Sequence, residues 1–194
     1  MVGRNKHDPI ETSIETAGFD EQNRARYSIA AFLDLEQGTA PRLLYDYWLA
    51  ACPAGGGLPF DEDFQPRDAL PPDAMQWVSW MDVGGDDPLA FVMHDHLANP
   101  IPGYGIELSD KPLQDFPDLS QATSTAMEYL TCKHDREPMY HEIEQIIGGV
   151  MRHYTRIVLP VEDRHGKVTK LYCGFRQVME PARTRADLPA DGEA

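Results

Sequence analysis

Over residues 138–178 the chain alternates apolar and polar positions with the two-residue period of β-strands, in three consecutive stretches. These cover 138–146, 150–161 and 168–178. In the second stretch the odd positions Met151, His153, Thr155, Ile157, Leu159 and Val161 are the more apolar set, opposite Arg152 and Arg156. In the third, Leu171, Cys173 and Phe175 oppose Lys170 and Arg176, and in the first, Met139, His141 and Ile143 oppose Glu142 and Glu144. Parity thus predicts one covered face that carries His141, His153, Thr155 and Cys173. The connections at 147–149 and 162–167 are too short for crossovers, so these strands are expected to be antiparallel. Keeping covered residues opposite covered residues asks for a three-residue loop at 147–149. Ile143 would then face His153, and His141 would face Thr155.

Upstream, the pattern turns helical. Over 21–36, Ala25, Ile29, Phe32 and Leu33 recur at helical spacing behind Asp20 as a cap, and Gly38 ends the run. Thr39-Ala-Pro41 opens a second helix with a stripe of Leu43, Leu44, Tyr47, Trp48 and Ala51, stopped by Pro53 and the glycines at 55–57. Two outlets exist for this stripe. It can pack on the outer face of its own sheet, or Leu44, Tyr47 and Trp48 can join Ile29 and Phe32 at an interface between two copies.

The proline-rich, acidic stretch 58–74 reads as an extended connector with at most a short helical turn. Strands at 75–83 and 89–96 flank a turn at 84–88. Prolines and glycines limit 98–117 to short helices and turns. The longest helical pattern is 119–135, with Asp118 or Ser120 as cap and Ala122, Ala126, Tyr129 and Leu130 on one face. Residues 1–20 read as a flexible arm and 180–194 as a disordered tail. The fold class expected is α+β: a five-stranded antiparallel sheet over 58–179 with helices on one face, preceded by two helices within 21–57.

Bulk properties narrow the function. The 194 residues suit one domain, and a 42% hydrophobic fraction supports a packed core. A formal net charge of −15 argues against nucleic acid and against an anionic membrane surface as partners. No apolar run reaches the roughly 20 residues that span a bilayer, and the amino terminus lacks the apolar core of a signal peptide. Cys52, Cys132 and Cys173 are odd in number and far apart, a usage that fits a reducing cytoplasm better than a disulfide framework.

The order strand–strand, short helices, long helix, three antiparallel strands resembles that of a PAS domain. LLYDYWLAA (43–51), the connector LPFDEDFQP (58–66), WMDV (80–83), GYGIELSDKPLQDF (103–116) and REPMYH (136–141) resemble one subgroup in particular. These are the small proteobacterial single-domain PAS proteins with an amino-terminal Tyr-Trp helix. The resemblance covers roughly residues 40–178. It implies a sensory or regulatory module that dimerises through amino-terminal helices, with an unidentified signalling protein as partner and a small molecule as a possible ligand. It does not imply an enzyme or name a signal. His94-Asp95-His96 departs from the small residue that the family carries at that strand end.

Candidate chemistry adds little to this. His94 and His96 share a strand face at a spacing that suits two metal ligands, but no third ligand lies near them in the sequence. The long helix offers only His134 to a haem iron, whereas haem-binding PAS domains take their ligand from that helix. Flavin-adduct PAS domains carry a cysteine in the short-helix region, and 98–117 has none. Neither cofactor is expected. There is no Gly-x-Ser-x-Gly turn, and the glycines at 55–57 follow a helix without a Lys-Ser/Thr after them, so no catalytic residue is assigned. The ligand-pocket candidates are Tyr129, Met139, His141, His153, Thr155 and Cys173. An ordinary core with hydrogen-bonded histidines accounts for the same residues, and describes a ligand-free dimerisation adaptor.

Overall fold

The computed structural model describes residues 23–95, 109–116, 119–147 and 150–178. The expectations for the arm at 1–20, the tail at 180–194, His96 and the stretch 98–108 lie outside the described residues.

A single seven-stranded sheet organises the chain, in the order β1-β5-β6-β7-β2-β3-β4. The strands are β1 (Asn23–Tyr27), β2 (Val78–Asp82), β3 (Val92–His94), β4 (Lys111–Pro112), β5 (Met139–Ile147), β6 (Val150–Glu162) and β7 (Val168–Gln177), and every neighbouring pair is antiparallel. The helices are α1 (Ile29–Leu35), α2 (Ala40–Ala51), the single turns α3 (Pro66–Ala69) and α4 (Pro72–Met75), and α5 (Leu119–Asp135). The sheet of β2, β3, β5, β6 and β7, interrupted by the long helix α5, is the antiparallel α+β arrangement expected from the sequence. Two corrections extend it. β1 and β4 add a strand at each edge, and helices cover both faces.

β1 occupies residues expected to be helical. Their apolar spacing is genuine only from Ile29 onward, where Ser28 caps α1 by accepting a hydrogen bond from the Ala31 amide at 3.2 Å. Before the cap, Arg24-Ala-Arg-Tyr27 alternates and pairs with the otherwise open edge of β5, so tertiary pairing overrides local propensity. At the opposite edge β4 is two residues long and ends in Pro112, which has no amide hydrogen to offer a further strand. The connector is extended except for α3 and α4.

The β5–β6 register also departs from expectation. Ile147 pairs with Val150, so the loop holds two residues, not three. His141 therefore lies opposite Arg156, and Ile143 opposite Tyr154. A one-residue change in register moves every side chain to the other face. Tyr154, Arg156 and Val158 turn toward α5, with His141 and Cys173. His153 and Thr155 turn the other way, toward the α1 side.

The face bearing α1 and α2 is packed by aromatic and aliphatic groups. Phe32 sits edge-on to Tyr140 at 5.0 Å and to Tyr45 at 5.2 Å, and the Trp48 indole donates to the Pro160 carbonyl at 2.8 Å. Phe32, Leu44 and Trp48 are buried against their own sheet, the intramolecular outlet of the two. Ile29 and Tyr47 are half-buried.

Gly174 makes the close approach of α2 possible. A Cβ there would lie 3.0 Å from Pro41 Cα and 3.2 Å from both Ile157 Cγ2 and Leu44 Cδ2. Gly174→Val should push α2 off the sheet and cost about 1–3 kcal/mol, the range for overpacking. Urea unfolding measures this, and an unchanged midpoint would mean that α2 is not seated as described.

Candidate functional site

Beneath α5 the sheet face is ionic at its centre. Helical spacing puts Gln121, Thr125, Glu128 and Cys132 in one row, which α5 buries together with Tyr129. Glu128 meets Arg156 of β6 in a direct ion pair, and accepts a second bond from Arg24 of β1 at 2.9 Å. His141 Nε2 lies 4.0 Å from the other carboxylate oxygen. Arg156 also reaches the Tyr129 hydroxyl at 3.4 Å and stacks over its ring, and Cys173 Sγ lies 3.5 Å from the same hydroxyl. Gln145 donates to Tyr154 at 2.9 Å and accepts from Arg24 at 3.4 Å.

Little water reaches the centre of this cluster. Arg156 is 2% exposed, His141 4% and Glu128 8%. Burial opposes the charge on Glu128, but Arg156 and Arg24 outweigh it and hold the carboxyl at about 2. For His141 burial dominates over the attraction of Glu128, and with the nearby arginines it pulls the imidazole down to about 4. The histidine is therefore neutral at pH 7. Among the described residues, its Nδ1 and the Nε of Arg156 are buried without a hydrogen-bond partner.

Of the sequence candidates, Tyr129, Met139, His141 and Cys173 come together here. His153 and Thr155 do not. His153 Nε2 lies 2.5 Å from Glu142, and Thr155 donates to Glu36 at 2.6 Å. Glu36 is the centre of a second buried network, on the α1 face. It also accepts from Tyr140 at 2.7 Å, from Thr39 at 2.9 Å and from Arg176 at 2.6 and 2.9 Å. Burial alone would raise the Glu36 pKa, yet these donors carry it below the ordinary value.

Sequence reasoning missed Glu128, Arg156, Arg24 and Glu36 as site residues. A carboxylate in a buried row of α5 was the one signal available for Glu128.

Among the described residues no group of three or more His, Cys, Asp or Glu is arranged to hold a metal ion. His94 stacks on Trp80 at 3.9 Å with its Nδ1 2.6 Å from Asp110, and His134 lies exposed in the last turn of α5. Burial pushes the thiols of Cys132 and Cys173 up, away from the reactive thiolate. No described helix is long and apolar enough to cross a membrane.

The neutral His141 makes a pH prediction. Its folded-state value of about 4 lies below the ordinary 6.5, so between these values the unfolded chain binds a proton that the fold refuses. Stability should fall as the pH drops from 6.5 toward 4, by on the order of 3 kcal/mol. In His141→Gln that part of the pH–stability curve should flatten. A curve of wild-type shape in the variant would place the titration elsewhere.

No family model matches the chain, and no curated protein matches it. Among solved structures it is similar to the PAS domain of BvgS from Bordetella pertussis, at 18% identity and a TM-score of 0.44. That similarity covers 59% of this chain and 83% of the other.

Proposed function

We propose that this chain is a sensory or regulatory module of the small single-domain PAS type with a Tyr-Trp helix. In this reading a small ligand is received on the sheet face beneath α5, and the change passes to a signalling protein through protein–protein contacts. The observation that carries it is the ionic cluster under α5. A face meant only as core would be apolar, whereas this one buries Arg156, Glu128 and His141 and leaves two of their nitrogens unpartnered. Ligand binding that shifts α5 relative to β6 would be a population shift between two packings of that cluster. The reading assigns no catalytic step. It places the protein in the cytoplasm, in keeping with three unpaired cysteines.

A second reading, a ligand-free adaptor with a self-filled core, is favoured by the bulk of Tyr129, Tyr154, Met139, Cys132 and Cys173, all buried on that face. In either case a homodimer is the proposed assembly. Its contact would use the exposed Leu35, Leu43 and Leu49 and the half-buried Ile29 and Tyr47, because Phe32, Leu44 and Trp48 are already covered. Native mass and the absorption spectrum of the purified protein test these readings. Added small-molecule mass, or a haem or flavin band, supports the sensor, and a bare chain mass favours the adaptor. A monomer that persists through the micromolar range would remove the dimer from both.

A further inference from the structure

Resting on the reading that the signal leaves through a protein–protein contact, we infer that the edge of β5 is the docking site for an extended partner segment with arginines at alternate positions. β1 occupies that edge from within the chain and is displaceable.

The acceptor is defined by what β1 brings to it. Asn23–Tyr27 lies antiparallel along β5, with Arg24 opposite Ile143 and Arg26 opposite His141, on the face beneath α5. A strand that only sealed the edge would offer apolar side chains to that face. β1 instead sends Arg24 to three acceptors on α5 and β5: Glu128 at 2.9 Å, Thr125 at 3.4 Å and Gln145 at 3.4 Å. On the opposite face the Tyr27 ring lies 6.1 Å from that of Tyr140, and its hydroxyl donates to Glu142. In strand addition of this kind main-chain pairing supplies affinity, and side chains at alternate positions supply specificity.

The partners of β1 keep other partners without it. Glu128 retains its ion pair with Arg156, and Gln145 retains the Tyr154 hydroxyl. Glu142 retains His153, and Tyr140 retains Glu36. Thr125 loses a long contact. Departure of β1 therefore leaves Glu128 paired, and a second strand of the same pattern restores what was lost. β1 is also short and at the end of the sheet, with residues 24–27 only half-buried. Segments of this kind open locally at a lower free energy than the centre of a sheet. The net charge of −15 favours a basic segment over another copy of this acidic chain at the vacated edge.

The test uses the full chain and a capped, fluorescein-labelled peptide of sequence Asn-Arg-Ala-Arg-Tyr, followed by fluorescence polarisation. Arg24→Gln weakens the strand held in cis, so the peptide should bind this variant saturably and at least tenfold more tightly than the wild type. A peptide with adjacent arginines, Asn-Arg-Arg-Ala-Tyr, keeps the charge and should bind at least tenfold more weakly. A second measurement needs no variant: excess peptide should speed hydrogen exchange at the 24–27 amides of the wild type. Equal binding of the two peptides would mean adsorption to an acidic surface and overturn the inference, as would unchanged exchange at 24–27. A dimer in the native mass of Arg24→Gln, in place of peptide binding, would assign the edge to a second copy and overturn the partner. If neither chain binds the peptide while the native mass shows a retained small molecule, the docking edge is wrong and the sensory reading stands. If neither binds and the native mass is bare, both fall.

Discussion

Glu128→Gln is expected to destabilise the protein by about 3–5 kcal/mol, the cost of breaking a buried ion pair from one side. The carboxylate is the common partner of Arg156 and Arg24, and its removal leaves a guanidinium that is 2% exposed without a counter-charge. The companion measurement separates lost charge from lost packing. In Glu128→Leu combined with Arg156→Met both charges go and the volume is roughly kept, so most of the lost stability should return. Chemical denaturation of the single and double variants decides the matter. A single variant that loses less than about 1 kcal/mol would show that the pair is not sealed from water. Acid should act on the same group. The Glu128 carboxyl sits at about 2 when folded against an ordinary 4.5, so its contribution is complete above 4.5 and is lost as the pH falls from there toward 2. That window lies below the one set by His141, and the two should appear in succession during an acid titration.

The second large effect is expected on the other face. Glu36→Ala takes the acceptor from Tyr140 and Thr155, both nearly inaccessible to water, and from Arg176 and Thr39. Each stranded buried donor costs about 1–3 kcal/mol, so the two inaccessible hydroxyls alone predict a loss of about 2–6 kcal/mol. Arg176 is partly exposed and can turn to solvent, which is why it is left out of that sum. Glu36→Gln keeps an acceptor oxygen and the volume, and should retain more stability than the alanine variant. The reverse ranking in urea unfolding would refute the role given to the hydroxyls.

The two networks explain which parts of the fold were legible. α2, α5 and the strands β5 to β7 follow from periodicity, capping and turn residues, and each was expected within a few residues of where it lies. The facing of β6 was not legible, because both of its sides are buried. Ile157 and Leu159 lie against one layer of helices while Arg156 and Val158 lie against the other. An arginine in such a strand reads as a solvent-facing residue until its carboxylate partner, distant in sequence on α5, is known. β1 was hidden for a similar reason. Arg24-Ala-Arg-Tyr27 has no strand signal beyond its alternation, and the β5 edge that recruits it lies more than a hundred residues away. The grouping of the candidate residues follows from both: this register turns His153 and Thr155 toward the α1 side, and it brings Arg24 and Arg156 under α5 beside His141.

Thr155 and Arg156 are consecutive residues, yet one serves Glu36 and the other Glu128, on opposite sides of the sheet. Were β6 to slide by a single position against β5 so that Arg156 took the place of Thr155, the guanidinium would arrive at the already occupied Glu36 and the aliphatic Ile157 at Glu128. Neither carboxylate would accept the change, since Glu128 would keep only Arg24 and Glu36 would be crowded by a second cation beside Arg176. The apolar residues of β6, present on both sides, would tolerate the slip far better. The pair of buried acids thus works as a two-sided proofreader of strand alignment, rejecting a misfold that hydrophobic burial alone would let pass.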